Sequence, residues 1–193
     1  MASEARAKHD EQFERLALVH LDSVYRLGRR LAGNTHEAED LVQETFMRAY
    51  RAFGNFENRD GTALPWLMKI CHNAFYSRLS KSSREPINLE STEGLGPMTD
   101  VEPDELIARS QKLPWENLDD QVKRAIESLP SQQREVLLLW AVEEMSYKQI
   151  ADACEIAIGT VMSRLHRARA FLMDRLESYC SQNGLVGRGK ENE

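Results

Sequence analysis

Ser146-Tyr-Lys-Gln149-Ile-Ala151-Asp-Ala-Cys154-Glu-Ile156-Ala-Ile-Gly-Thr160-Val-Met-Ser-Arg164-Leu-His-Arg167-Ala-Arg169 is the stretch that decides how the rest of this chain is read. Ser146 and Gln149 have the S-x-x-Q spacing of a capping box, so a helix starts there. That helix carries Ile150 and Ala151 inward, a turn follows around Cys154-Glu155-Ile156, and Val161, Leu165 and Ala168 form the stripe of a second helix. Ala151 is small where two helices must approach closely, and Ile156 with Val161 would pin the second helix across the first. The pattern predicts a helix-turn-helix, whose second helix enters the major groove. The positions expected to face outward are Thr160, Ser163, Arg164, His166, Arg167 and Arg169. They are hydrogen-bonding and cationic, as base edges and phosphates require. A helical hairpin with a basic solvent face is the plain alternative. The cap, the small residue and the absence of acids from Ile156 to Met173 favour DNA binding.

Upstream, Leu118, Val122, Ala125, Ile126 and Leu129 keep helical spacing, and Pro130 forces Leu129 out of the helix. An apolar run from Val136 to Trp140 gives another helix. Before that, Glu85 to Leu113 mixes Pro86, Pro97, Pro103, Gly94 and Gly96 with acids, Ser and Thr, with one short helical stretch near Leu106. This predicts a flexible acidic linker. Such a chain of about 29 residues has a mean span of about 30 Å and a limit near 95 Å. At the N-terminal side Phe13, Leu16, Ala17, His20, Val24, Leu27 and Leu31 predict one amphipathic helix stopped by Gly33. Asn34 and Glu37 resemble a second capping box, opening a helix with Ala38, Leu41, Val42, Thr45, Phe46, Ala49 and Phe53 inward. Gly61-Thr62 precedes a third, with Pro65 in its first turn and Trp66, Ile70, Cys71, Ala74 and Phe75 as its stripe. The expected architecture is all-α: two small helical domains at residues 8–84 and 114–178, joined by a linker at 85–113, with a disordered tail from 179 that frays beyond Ser181.

The net charge is −6, yet it is unevenly placed. Thr62 to Arg84 carries Lys69, Arg78, Lys81 and Arg84 with no acid, whereas Glu85 to Asp120 holds ten acids against Arg109 and Lys112. The negative total is largely a linker property, and two basic segments remain. Cys71, Cys154 and Cys180 are far apart and the five histidines are scattered. Neither a disulfide framework nor a metal site is expected, and a reducing cytoplasm fits. Cys71 and Cys154 lie on apolar stripes and read as packing residues, and Cys180 as exposed. No apolar run approaches the roughly 20 residues of a membrane span, and the N-terminus lacks a signal core, so neither membrane insertion nor secretion is expected.

Three blocks carry a resemblance. Ala125-Ile-Glu-Ser-Leu-Pro-Ser-Gln-Gln-Arg134-Glu-Val, Met145-Ser-Tyr-Lys-Gln-Ile-Ala151 and Ile158-Gly-Thr-Val-Met-Ser-Arg-Leu-His-Arg-Ala-Arg169 resemble region four of extracytoplasmic function (ECF, group IV) RNA polymerase sigma factors. Glu37-Ala-Glu-Asp-Leu-Val-Gln-Glu-Thr-Phe46 with Arg48-Ala-Tyr-Arg-Ala-Phe53 resembles region two, and Pro65-Trp-Leu-Met-Lys-Ile-Cys-His-Asn73 its promoter-reading helix. The blocks occur in the family's order, over residues 10–84 and 116–177.

The resemblance implies a sigma factor whose partners are core RNA polymerase, promoter DNA and an anti-sigma factor, with no cofactor and no catalytic site. Glu39, Asp40, Gln43 and Glu44 would dock on the polymerase clamp helices; a solvated acidic face is the alternative. Asn73 matches the asparagine that pockets a flipped minus-10 base, with Lys69, His72, Tyr76 and Arg78 as backbone or stacking neighbours on a cationic track. Ser163, His166 and Arg167 would read the minus-35 element, with Thr160 beside them and Arg164 and Arg169 nearer the phosphates. Met162 stands where some relatives carry arginine, so the preferred minus-35 sequence would differ, since methionine makes no bidentate contact to guanine. The Gly159 to Arg167 string is closer to the subgroup answering thiol-oxidative stress. The linker's acidity would suit a basic polymerase channel.

Three other classes compete. A one-component helix-turn-helix regulator leaves Asn73 and the cationic third helix without a role. An enzyme finds no Walker A, G-x-G-x-x-G, G-x-S-x-G or H-E-x-x-H, and Gly187-Arg-Gly-Lys190 is too short to cradle a phosphate. A sigma-mimicking decoy would not need DNA-facing residues.

Overall fold

The computed structural model describes residues 2–58, 61–82 and 115–182; the expected linker and the chain beyond 182 lie outside the described residues. Among the described residues the regular structure is helical, with no strand. The N-terminal bundle holds α1 (Ala2–Leu16), α2 (Leu21–Ala32), α3 (Thr35–Ala52) and α4 (Leu64–Ser82). The C-terminal bundle holds α5 (Asp120–Glu127), α6 (Ser131–Ala141), α7 (Tyr147–Cys154) and α8 (Ile158–Gln182). No helix among the described residues is long and apolar enough to cross a membrane.

The single helix expected from Phe13 to Leu31 is two. A 3-10 turn at Leu18–His20 separates α1 from α2. Phe13, Ala17 and Val24 stay buried on either side of it, while Leu18, Val19 and Leu21 face outward. The bend lets Phe13 meet Tyr50 and Phe53 edge-on, with centroids 5.2 Å away in each case. It also brings the His20 ring 3.0 Å from the Thr62 hydroxyl. Gly33 ends α2 with φ +79°, and Asn34 Oδ1 accepts the Glu37 N–H at 2.9 Å to open α3. At Gly28, α2 and α3 run close enough that a Cβ there would be in van der Waals contact, 3.4 Å from Val42 Cγ2.

Helix α4 departs from its expected stripe. Leu67, Met68, Cys71 and Ala74 are buried against the N-terminal bundle, while Trp66, Ile70 and Phe75 are only half-buried. The reason is that α4 packs on two sides. His72 and Tyr76, on another face, are buried against the C-terminal bundle, chiefly against α7.

In the C-terminal bundle the capping box is complete: Ser146 Oγ accepts from Gln149 N–H at 3.2 Å, and Gln149 Oε1 from Ser146 N–H at 2.9 Å. Glu155 closes α7 with φ +56°, the left-handed residue that turns the chain into α8. Leu138, Leu139, Ile150, Val161, Leu165 and Ala168 form the core, nearly all without exposure. Each leucine or isoleucine so buried contributes about 1.5–3 kcal/mol. Helix α8 continues to Gln182, past the expected start of the tail.

Candidate nucleic-acid interface

On α3, Glu39, Asp40 and Gln43 are exposed, as a docking face requires. Glu44 is half-buried and already engaged. Arg78 of α4 donates from Nε to Glu44 Oε2 at 2.6 Å and from Nη2 to the Asp40 carbonyl at 2.8 Å; Arg48 also pairs with Glu44. Burial works against the Glu44 charge, but the hydrogen bonds and charges of Arg78 and Arg48 outweigh it and hold its carboxyl below the usual range. Arg78, placed by sequence on the minus-10 track, thus ties α4 to the acidic face of α3.

The remaining α4 residues face the other domain. His72 is 6 % exposed, and its Nδ1 lies 2.9 Å from Oε1 of the fully buried Glu135 on α6. Lys69 Nζ pairs with Glu155 Oε1 at 2.9 Å. Tyr76 is buried beside His72, with ring centroids 4.6 Å apart, and burial pushes its phenol up. Asn73 is half-buried and lines an open cleft of about 520 Å³ with Tyr76, Ser77, Lys81, Glu155 and Ile156. The domain contact extends along α2, where Arg26 reaches Glu143 at 3.3 Å and Arg134 Nη2 reaches the Leu31 carbonyl at 3.4 Å. Arg30 stacks over the Trp115 ring at 4.2 Å. Of the α4 residues expected to take single-stranded DNA, His72 and Tyr76 are therefore covered by the other domain, while Asn73 stays open to the cleft.

On α8 the expected outward set divides. His166 is exposed, and Thr160, Ser163 and Arg167 are partly so. Arg167 donates from Nε to the Ser163 carbonyl and from Nη2 to Ser163 Oγ, each at 3.3 Å, which folds its guanidinium along the helix. Arg164 is not outward: at 4 % exposure it turns into the bundle, because its position falls one step from Val161, Leu165 and Ala168 on the inner face. Arg169 is half-buried, its guanidinium stacked over Trp140 at 4.6 Å. Met162 packs against the core. Of the cysteines, Cys71 and Cys154 are buried, and burial pushes Cys71 up to about 12; the Cys180 side chain lies outside the described ones.

Sequence reading missed the residues that join the bundles: Arg26, Arg134, Glu135, Glu143 and Glu155. Glu135 gave only a positional signal: it abuts the apolar run that starts at Val136 and lies one helical turn before Leu139, which sets it on the inner face.

Residues 16–85 match the sigma-70 region 2 family and residues 119–172 the sigma-70 region 4 family. The chain is 34 % identical to the ECF RNA polymerase sigma factor SigE of Mycolicibacterium smegmatis, over 88 % of this chain and 63 % of that protein. It is 31 % identical to the ECF RNA polymerase sigma factor SigW of Bacillus subtilis, over 86 % of this chain and 89 % of that one. Among solved structures, it resembles the sigma factor RpoE of Bartonella quintana in complex with the anti-sigma factor NepR. That likeness has a TM-score of 0.64 and 29 % identity, covering 86 % of this chain and 98 % of RpoE.

Proposed function

The chain belongs to the ECF sigma factors of the sigma-70 family, and we propose that it binds core RNA polymerase and directs it to a specific set of promoters, as the regulator of a stress response. It serves as an initiation factor rather than as a catalyst, and it works in the cytoplasm. The observation that carries this reading is the joining, in one chain, of a bundle with an acidic α3 face beside a cationic α4 and a bundle ending in a helix-turn-helix.

Glu39, Asp40, Gln43 and Glu44 dock on the polymerase clamp helices. Asn73 pockets the flipped minus-10 base, while Lys69, His72, Tyr76 and Arg78 hold the strand around it. Ser163, His166 and Arg167 read the minus-35 element, with Thr160 at the helix start; Arg164 and Arg169 support that helix from within. In the closed arrangement Lys69, His72 and Tyr76 are occupied by the other domain, so the two bundles separate before α4 takes DNA. The acidic linker then runs through a basic polymerase channel. An anti-sigma factor, such as the one bound to the Bartonella quintana relative, would keep the polymerase-facing surfaces covered. The Gly159 to Arg167 string supports the finer assignment to the thiol-oxidative-stress subgroup, which promoters mapped in cells would overturn if they lacked thiol-stress genes.

One observation favours a second reading. His166 is open on α8 while His72 and Tyr76 of α4 are covered, as a one-component regulator reading duplex DNA alone would require. Run-off transcription with purified core polymerase on pooled genomic promoter DNA separates the two. Discrete transcripts that depend on the chain support the sigma reading. Duplex binding without polymerase and without transcripts supports the regulator. Silence in both assays supports a decoy.

A further inference from the structure

His72 of α4, Glu135 of α6 and Cys154 of α7 bring a ring nitrogen, a carboxylate oxygen and a thiol sulfur within 4.8 Å of one another, and all three residues are buried. We propose that these three side chains form a transition-metal site of the zinc class, spanning the two domains and latching them in the closed arrangement. Nitrogen, oxygen and thiolate sulfur are the donors that Zn²⁺ takes, at about 2.0–2.3 Å each. Tetrahedral ligands at those lengths sit about 3.3–3.7 Å apart, so the cluster contracts by about an ångström at its widest to close on an ion.

A second observation points the same way. Glu135 has no exposure, and its Oε2 makes no hydrogen bond among the described residues. A buried carboxylate faced by one histidine ring and one phenol, that of Tyr76, is under-compensated. A dication supplies the missing charge, and Glu135 with a Cys154 thiolate carries the two negative charges that neutralise it. Burial and the Glu135 charge now push the Cys154 thiol up, while Arg164 nearby favours the thiolate. A bound metal reverses that balance by displacing the thiol proton, which is released to solvent. Cys154, His72 and Asn73 also line the open cleft, which gives the ion an entry path and room for a water as fourth ligand.

The consequence is regulatory. His72 lies on the helix proposed to take promoter DNA, so it can ligate the metal or face DNA, but not both. Metal binding holds the bundles together, and its loss, or oxidation of the Cys154 thiolate by a peroxide or disulfide, frees α4. The site rests on the closed packing and not on sigma activity, and it is tested without polymerase or DNA.

The test uses the full chain, stripped with a chelator and titrated with Co²⁺ and then with Zn²⁺ against a chromophoric competitor. One equivalent of Co²⁺ with a thiolate-to-cobalt absorption band is expected, displaced by Zn²⁺. Cys154→Ser and His72→Ala should each weaken binding at least tenfold, with the band lost in Cys154→Ser. Cys71→Ser and Cys180→Ser should leave it unchanged. Circular dichroism checks that each variant is folded, and Cys154→Ser is conservative enough to remain so. No thiolate band, a band that survives Cys154→Ser, or one that vanishes with Cys180→Ser overturns the site.

Discussion

His72 and Glu135 meet at 2.9 Å in the seam between the two bundles, one from the helix proposed to take promoter DNA and the other from the core of the helix-turn-helix domain. Neither is more than 6 % exposed. A hydrogen bond so shielded is worth more than its exposed counterpart, and leaving one partner unpaired costs about 1–3 kcal/mol. His72→Ala and Glu135→Leu should each open the seam, and a double-mutant cycle in urea denaturation should give a coupling of about 1–3 kcal/mol. The two variants then diverge in function. Glu135→Leu should bind core polymerase faster, because no closed form has to be undone, whereas His72→Ala also removes a group from the proposed minus-10 track. Equal core-binding rates for Glu135→Leu and the parent would show that closure does not gate assembly.

The Lys69–Glu155 pair makes the same seam sensitive to salt and acid. Its side chains are about half exposed, 44 % and 54 %, so screening keeps its contribution within about 1 kcal/mol. The hydrogen bond and charge of Lys69 lower the Glu155 carboxyl below its ordinary value of 4.5. A depressed carboxyl stabilises the closed form above its unfolded value and loses that contribution as pH falls through the depressed one. Lys69→Glu should therefore shift the pair of bundles toward open at neutral pH. Adding Glu155→Lys should restore closure, with the inter-bundle distance followed by fluorescence energy transfer. Acid below about pH 4.5 or salt near 1 M should reproduce the effect in the parent chain, and the double variant should lose closure with salt in the same way.

Much of this arrangement is legible in the sequence. Gly33, Asn34, Gly61, Ser146 and Gln149 punctuate the helices through local chemistry that needs no tertiary contact, and their boundaries follow. The outward set on α8 divides: Thr160, Ser163, His166 and Arg167 are at least partly exposed, while Arg164 and Arg169 are long cations whose positions turn them toward the bundle. Helix α4 departs from a single apolar stripe because it is covered on two faces, and such a helix has no single stripe. The inter-bundle contact was not legible at all. Lys69 and Glu155, or Arg26 and Glu143, lie far apart in the chain, and nothing in either local pattern announces the partner.

Asn73 and Arg78 separate a DNA role from a structural one. Arg78 gives two hydrogen bonds to α3, at 2.6 and 2.8 Å, one of them to the Glu44 carboxylate. Charge-assisted contacts of this kind contribute about 1–3 kcal/mol. Arg78→Ala should lower the melting temperature of the N-terminal bundle and weaken core binding through a loosened α3, before any effect on DNA. Asn73, half-buried at the cleft, should tolerate Ala within about 0.5 kcal/mol. Asn73→Ala should still bind core polymerase and fail at promoter opening, read with permanganate on the minus-10 strand. Normal opening by Asn73→Ala would remove it from the base pocket.

Arg164 and His166, two residues apart on α8, should fail in opposite ways. Arg164 is 4 % exposed, and its aliphatic stem and guanidinium both sit within the C-terminal bundle. Truncation to Ala leaves a void and strips buried partners of a charge, a loss of about 2–3 kcal/mol. Arg164→Ala should therefore lower stability and weaken binding to all promoters alike, while His166→Ala should leave the denaturation curve within about 0.5 kcal/mol of the parent. His166 is exposed on the face proposed to meet the major groove, so its loss should change which minus-35 bases are preferred by about 1–3 kcal/mol at one position. Selection of binding sites from randomised minus-35 elements, carried out with holoenzyme, measures that preference directly. An unchanged minus-35 profile for His166→Ala, or a changed profile for Arg164→Ala at full stability, would reverse the two assignments and place the reading edge of α8 on its inner side.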